Sequence, residues 1–131
     1  MKIAIALKTV VALLVLGALA AYPCLAAPAQ NINSAQVKTL LAKEKKIVIL
    51  DVRTPEEFRQ ARLHGAVLIP LGELERRMPE IPRDRPLLVY CSVGARSATA
   101  AGLLAARGYR EVYQMSDGLV GWYKNGFPIE R

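Results

Sequence analysis

The chain has 131 residues, two cysteines and one histidine, which suits one domain and is too short for two of ordinary size. That inventory excludes a disulfide scaffold, a multi-cysteine or three-histidine metal site, and any Ser-His-Asp hydrolase not built on His64. The formal charge of +7 rests on residues such as Lys43, Lys45, Lys46, Arg76, Arg77, Arg83 and Arg85, interleaved with acids; this is a solvated surface rather than a nucleic-acid face, with a modest field favouring small anions.

In chain order the first segment is a leader. Of the first 29 residues 23 are apolar, Lys2 and Lys8 stand near the start, and Thr9–Ala29 has no charge. The apolar run Val10–Ala21, with Cys24-Leu25-Ala26 and Ala27-Pro28-Ala29 as two cleavage tails, predicts residues 1–29 as a secretory signal peptide or, if retained, an N-terminal membrane anchor. Tyr22-Pro23 ahead of Cys24 argue against lipidation. The domain over 30–131 is then expected to be exported and periplasmic, tethered to the inner membrane if the leader stays. Cleavage after Cys24 leaves Cys91 as the lone thiol, and in an oxidising compartment such a thiol is either buried and inert or kept for reactivity.

Ser34 predicts a helix cap for a segment over 35–43, with Val37, Leu40 and Leu41 inward. Ile47–Leu50 is a continuous aliphatic run suited to a strand buried on both faces. Thr54-Pro55-Glu56-Glu57 is a helix start, with Thr54 as cap, Pro55 at the first position and Glu57 closing a capping box; the short helix should bury Phe58. Val67-Leu68-Ile69 predicts a short strand, and Leu71, Leu74 and Met78 a helical face. Leu87-Leu88-Val89-Tyr90 is a second buried strand, Ser97 to Arg107 a helix stopped by Gly108, Val112–Met115 a last strand, and Gly118–Lys124 a short helix carrying Trp122 as packing. Gly126 and Pro128 should end the ordered part. Helices alternating with all-apolar strands predict an α/β fold with a mostly parallel sheet covered on both faces. In such sheets the site lies beyond the carboxyl ends of the strands, where Cys91 falls.

Cys91-Ser92-Val93-Gly94-Ala95-Arg96-Ser97 therefore carries the chemistry. A tight loop between strand and helix turns several N–H groups to one point, Gly94 keeps the cup open, and the helix adds its positive end. All three lower the thiol from its free value of about 8.5. Arg96 supplies a permanent charge for an oxyanion substrate. Asp51 and Arg53, at the adjacent strand end, either brace the cup or touch the substrate, and His64 reads as a solvated residue rather than an activating base.

These pieces together resemble a single-domain rhodanese of the thiosulfate sulfurtransferase family, in particular the small exported rhodaneses of the phage shock protein E type. The resemblance spans Ser34 to Glu130: Ile49-Leu50-Asp51-Val52-Arg53 with Glu56-Glu57-Phe58, Gly65-Ala66 with Ile69-Pro70, the Cys91–Ser97 loop, and Gly118, Trp122 and Gly126-Phe127-Pro128. It implies a rhodanese-like, central five-stranded sheet with helices on both faces. It also implies Cys91 as the acceptor of sulfane sulfur, the backbone of Ser92, Val93, Gly94, Ala95 and Arg96 around the persulfide, and Arg96 on the donor anion. The implied partners are a small anionic sulfur donor such as thiosulfate and a cyanide or thiol acceptor, with no cofactor, no metal and no nucleic acid. Two departures stand out: Arg62 occupies the family's usual histidine position, and Asp117 replaces a glycine before the Trp-bearing helix, which would add a carboxylate near the mouth. Two rival readings stay open. One is a persulfide carrier or redox partner serving a dedicated protein acceptor. The other is an arsenate reductase or phosphatase, disfavoured because Arg96 lies five positions after Cys91 and cysteine phosphatases place their arginine one farther.

Overall fold

The computed structural model describes residues 27–131, so the leader expected over 1–29 lies, except for its last three residues, outside the described residues. Among the described residues no helix is long and apolar enough to cross a membrane. In chain order the elements are β1 (Gln30–Ile32), α1 (Ser34–Lys43), β2 (Val48–Asp51), α2 (Pro55–Gln60) and β3 (Val67–Leu68). There follow α3 (Leu74–Arg77) between two 3-10 turns (Leu71–Glu73 and Met78–Glu80), then β4 (Leu87–Tyr90), α4 (Ala95–Ala106), β5 (Val112–Met115) and α5 (Gly118–Lys124). The strands form one five-stranded sheet in the order β1-β5-β4-β2-β3, every pairing parallel. This is the α/β class that the sequence pattern predicts and the five-stranded sheet that the resemblance implies.

β4 is buried at all four positions, which is why it has no polar side to show. Alternate residues of a strand face opposite ways. Leu87, Val89 and Cys91 therefore enter the layer with Ala100, Ala101 and Leu104 of α4 and Leu74 of α3. Leu88 and Tyr90 enter the opposite layer with Val37 of α1 and Leu119 and Trp122 of α5. Leu87, Leu88 and Val89 are fully enclosed, each stabilising the fold by roughly 1.5–3 kcal/mol relative to exposure.

From β2 the chain steps outward to the edge strand β3, then returns past β2 to β4 and continues to β5. That reversal opens a crevice at the carboxyl ends of β2 and β4. Asp51 and Tyr90 stand there in register, with Cys91 next along the chain.

The Thr54–Glu57 capping box with Pro55 at the helix start forms as the sequence indicates. Other local readings change. β1 has one apolar residue and becomes a strand only through its pairing with β5, Ile32 beside Met115. α1 is capped by Asn33, which closes a box with Gln36; Ser34 is already inside the helix and buried. α4 begins at Ala95 rather than Ser97, because Gly94 at φ 103 turns the chain into the helix without a side-chain cap. Phe58 is half-buried rather than internal, since α2 is too short to cover it, and the Arg62 guanidinium lies 5.0 Å over its ring. The ordered chain does not stop at Gly126 and Pro128: Arg62 and Glu130 exchange backbone hydrogen bonds of 2.9 and 2.8 Å.

Candidate active site

Cys91 leaves β4 and the chain turns through Ser92, Val93 and Gly94 before entering α4. The peptide groups of this turn are oriented by anchoring their carbonyls. Cys91 O accepts the Leu119 N–H at 2.9 Å and Ser92 O the Val120 N–H at 3.0 Å, both from the first turn of α5. Gly94 O accepts from Gln114 Nε2 at 2.8 Å, Ser97 Oγ at 3.2 Å and the Ala98 N–H at 3.0 Å. In a planar trans peptide the N–H opposes the C=O, so the anchored Ser92 carbonyl turns the Val93 N–H toward the sulfur, and the amides of Gly94 and Ser97 complete an anion-holding concavity. The Gly94 N–H lies 3.1 Å from Cys91 Sγ and the Ser97 N–H 3.4 Å.

Two glycines permit this closeness. A Cβ on Gly94 would sit 2.3 Å from Ser116 O, and one on Gly118 2.2 Å from Ser92 O; their φ values are +103 and +61. The cysteine loop is thus stacked backbone to backbone on the turn between β5 and α5, a contact that no side chain fits into.

Cys91 is 1% exposed, so its sulfur forms the floor of the loop at the carboxyl end of β4. Burial pushes the thiol up, but hydrogen bonds from Ser97 Oγ and from the N–H groups of Ser97, Gly94 and Val93 outweigh it and leave its pKa below the ordinary thiol value. Ser97 Oγ lies 3.4 Å from Sγ and 3.2 Å from Gly94 O. Facing a thiol, the hydroxyl accepts from sulfur and donates to Gly94 O; facing a thiolate, its hydrogen turns to the sulfur.

Of the expected binding residues, Val93, Gly94 and Ser97 reach the sulfur through their amides. The Val93 residue is 65% exposed, and Ala95 is exposed as well; among the described residues, no hydrogen bond runs from the amides of Ser92, Ala95 or Arg96 to Sγ. Arg96, expected to clamp the donor anion, is held by a residue that sequence reasoning left in a purely structural role. Its Nη1 and Nη2 donate to Glu57 Oε1 and Oε2 at 2.8 and 2.9 Å, and Ser92 Oγ donates to Oε2 at 2.7 Å. The Arg96 guanidinium, helped by Ser92 and the Thr54 amide, holds the Glu57 carboxyl well below the usual carboxylate range despite partial burial.

Asp51 and Arg53 brace. Arg53 Nε and Nη2 donate to both Asp51 oxygens at 2.7–3.1 Å, Nη2 also donates to Ala61 O at 2.6 Å, and the guanidinium lies 5.5 Å from the centre of the Tyr90 ring. His64 is 92% exposed and pairs with Glu130. Asp117 does not add a carboxylate at the mouth: it accepts from the Ser34 N–H at 2.8 Å and Ser34 Oγ at 2.6 Å, tying α1 to the start of α5. Its φ of −98 is ordinary, so no glycine-like conformation is needed there. Trp122 packs in the core, 3% exposed, its Nε1 donating to Pro128 O at 2.8 Å.

Comparison with known proteins points the same way. Residues 33–125 match the family described as the Rhodanese-like domain. A sulfurtransferase of Allochromatium vinosum is 36% identical over 99 residues, covering 76% of this chain and 92% of its own. The thiosulfate sulfurtransferase GlpE of Pseudoalteromonas translucida is 31% identical over 93 residues, 71% of this chain and 88% of its own. Among solved structures, a rhodanese-related protein from Thermoplasma volcanium superposes with a TM-score of 0.70 at 30% identity, covering 77% of this chain and 97% of that one.

Proposed function

The chain belongs to the rhodanese-like family of sulfurtransferases, and from that premise we propose that it moves sulfane sulfur from thiosulfate or a similar donor to cyanide or a thiol through a persulfide on Cys91. The Cys91 thiolate attacks the outer sulfur of thiosulfate, the S–S bond breaks, and sulfite departs with the electron pair. A cyanide or thiolate acceptor then takes the terminal sulfur and returns Cys91 to the thiolate. This is nucleophilic covalent catalysis, with ping-pong kinetics expected.

One observation carries the reading: the Cys91 sulfur sits within 3.1 Å of the Gly94 N–H and 3.4 Å of the Ser97 N–H. Donors fixed before the reaction stabilise negative charge on sulfur without reorganising during it. The test is intact-mass analysis after mixing with thiosulfate. Wild type is expected to gain one sulfur atom and Cys91→Ser none, with folding preserved in both; a gain on the serine variant, or none on wild type, overturns the assignment.

A second reading, delivery to a protein acceptor, is favoured by apolar residues standing in solvent. Val93 on the loop is 65% exposed, and Val120 and Tyr123 on α5 are 42% and 60% exposed. A persulfide stable through isolation, with slow turnover of cyanide, would mark that case. Export to the periplasm is part of the proposal and rests on the leader sequence; the same mass spectrum locates the mature N-terminus.

A further inference from the structure

All strand pairings are parallel, so the strands start at one end of the sheet and the cysteine loop lies at the other. The described chain enters the fold at the first end. Gln30 opens β1 beside Tyr113 of β5, and Ala27, Pro28 and Ala29 flank a small hollow with Gly102, Ala105 and Ala106 of α4. The turn from α1 to β2 and the segments leading into β4 and β5 meet at this end too. There Arg85 Nε donates to Lys46 O at 2.6 Å and Arg83 Nη1 to Arg107 O at 2.8 Å.

These segments carry the exposed cations Lys43, Lys45, Lys46, Arg83, Arg85 and Arg110. Elsewhere arginines stand in pairs, Arg59 with Glu56, Arg76 with Glu73 and Arg77 with Glu80. Among the described residues none of the six is in an ion pair, although acids are interleaved with them. Glu44 turns to the Lys46 amide, while Asp84 and Glu111 share an open hollow with Arg83, Arg85 and Arg110. Six cations against these three acids leave an excess of positive charge at the end where the chain enters. Ahead of that point the sequence is uncharged over Thr9–Ala29. Only the eight residues Tyr22–Ala29 separate the apolar run Val10–Ala21 from β1, a reach of at most about 28 Å.

We propose that residues 1–29 are retained as an anchor and that the basic end of the sheet docks on an anionic phospholipid surface, turning the Cys91 loop toward the aqueous side. The short tether holds this end close to the headgroups, and each unpaired lysine or arginine there is drawn to an anionic leaflet. The loop, with Val93, Val120 and Tyr123 exposed around it, stays open to partners arriving from solution. This goes beyond the sulfurtransferase reading and does not depend on it.

The experiment inserts the full chain through its leader into phosphatidylcholine vesicles with or without about 30% phosphatidylglycerol. A water-soluble amine-acylating reagent is added, and modified lysines are mapped by mass spectrometry. Lys124, exposed on α5 in the cavity beside Ser92, is the reference at the opposite end of the same molecules. On anionic vesicles Lys43, Lys45 and Lys46 should acylate at least about fivefold more slowly relative to Lys124 than on phosphatidylcholine alone, and high salt should abolish the difference. Arg110→Glu, at an exposed position, should remove roughly half of that protection, and Arg59→Glu on α2 should leave it unchanged. Equal acylation at both ends, protection of Lys124 instead, or protection that persists in salt or without phosphatidylglycerol would overturn the docking face. A full chain that fails to float with the vesicles would overturn the anchor.

Discussion

Asp51 and Arg53 lie two residues apart at one strand end, with side chains 0% and 4% exposed. Glu57 and Arg96 arrive from α2 and α4, with side chains 30% and 37% exposed. Both are arginine–carboxylate pairs at the same end of the sheet, yet burial gives them different tasks. The first is closed by the Ala61 carbonyl and the face of Tyr90, so neither charge has water to turn to if the other is lost. The second is half in solvent and joins two segments 39 residues apart, so its charges can be exchanged for those of a ligand or of water at small cost. A pair of the first kind holds the site's shape, and a pair of the second kind sets its charge.

Breaking the buried pair should have the largest effect. Asp51→Asn keeps the outline of the side chain but leaves Arg53 charged and unpaired in the interior, a loss of about 3–5 kcal/mol. Urea denaturation checks this, and a cost under about 1 kcal/mol would erase the distinction between the two pairs. Next is Gly94→Ala. The added Cβ meets Ser116 O at 2.3 Å on a residue at φ +103, and strain plus overlap should cost about 2–4 kcal/mol. Because the loop must move to relieve it, sulfur transfer should fall at least about a hundredfold, measured on protein still folded at low temperature.

The same contrast explains what the sequence made legible. β2 and β4 announce themselves by the aliphatic runs Ile47–Leu50 and Leu87–Val89 that a sheet covered on both faces requires, and the Cys91 loop because its glycine and the following helix are adjacent in sequence. β1 is silent, since Gln30 and Asn31 owe their extended form to hydrogen bonds with β5 and not to their own side chains. Glu57 is misread for a related reason. Its spacing from Thr54 accounts for it fully as a helix cap, and nothing local shows that the same carboxylate meets Arg96. Gln114, which holds the Gly94 carbonyl from a buried position on β5, and Asp117, which turns to Ser34 rather than to the mouth, are likewise decided by partners far along the chain. Residues whose role is set by neighbours in sequence were readable; those set by the packing of separate elements were not.

Between the two pairs in magnitude stands the hydroxyl beneath the sulfur. Ser97→Ala removes one donor to the thiolate while the amide of residue 97 stays. Losing one charge-assisted hydrogen bond is worth about 1.5 kcal/mol, so kcat/KM should drop roughly tenfold when measured on the acid side of the thiol's pKa. The sign follows from the thiolate being the nucleophile: the native hydrogen bonds lower the thiol pKa, the variant's pKa is higher, and raising the pH restores most of the rate. A loss equal at all pH values would mean that Ser97 positions Gly94 and does nothing for the charge on sulfur.

The smallest effect is expected where the pair is exposed. Glu57→Gln should lower stability by about 0.5–1 kcal/mol at pH 7, several times less than Asp51→Asn, because water screens both partners and takes over their hydrogen bonds. The folded protein holds Glu57 below its ordinary value, chiefly through Arg96, so the contribution is present above the unfolded value of about 4.3 and is lost as pH falls from there toward the folded one. The wild-type and Gln proteins should therefore differ at neutral pH and converge in acid, a comparison made by denaturant titration at several pH values. A difference that persists undiminished in acid would place the contribution in packing and not in charge, and with it the contrast between the two pairs would lose its electrostatic basis.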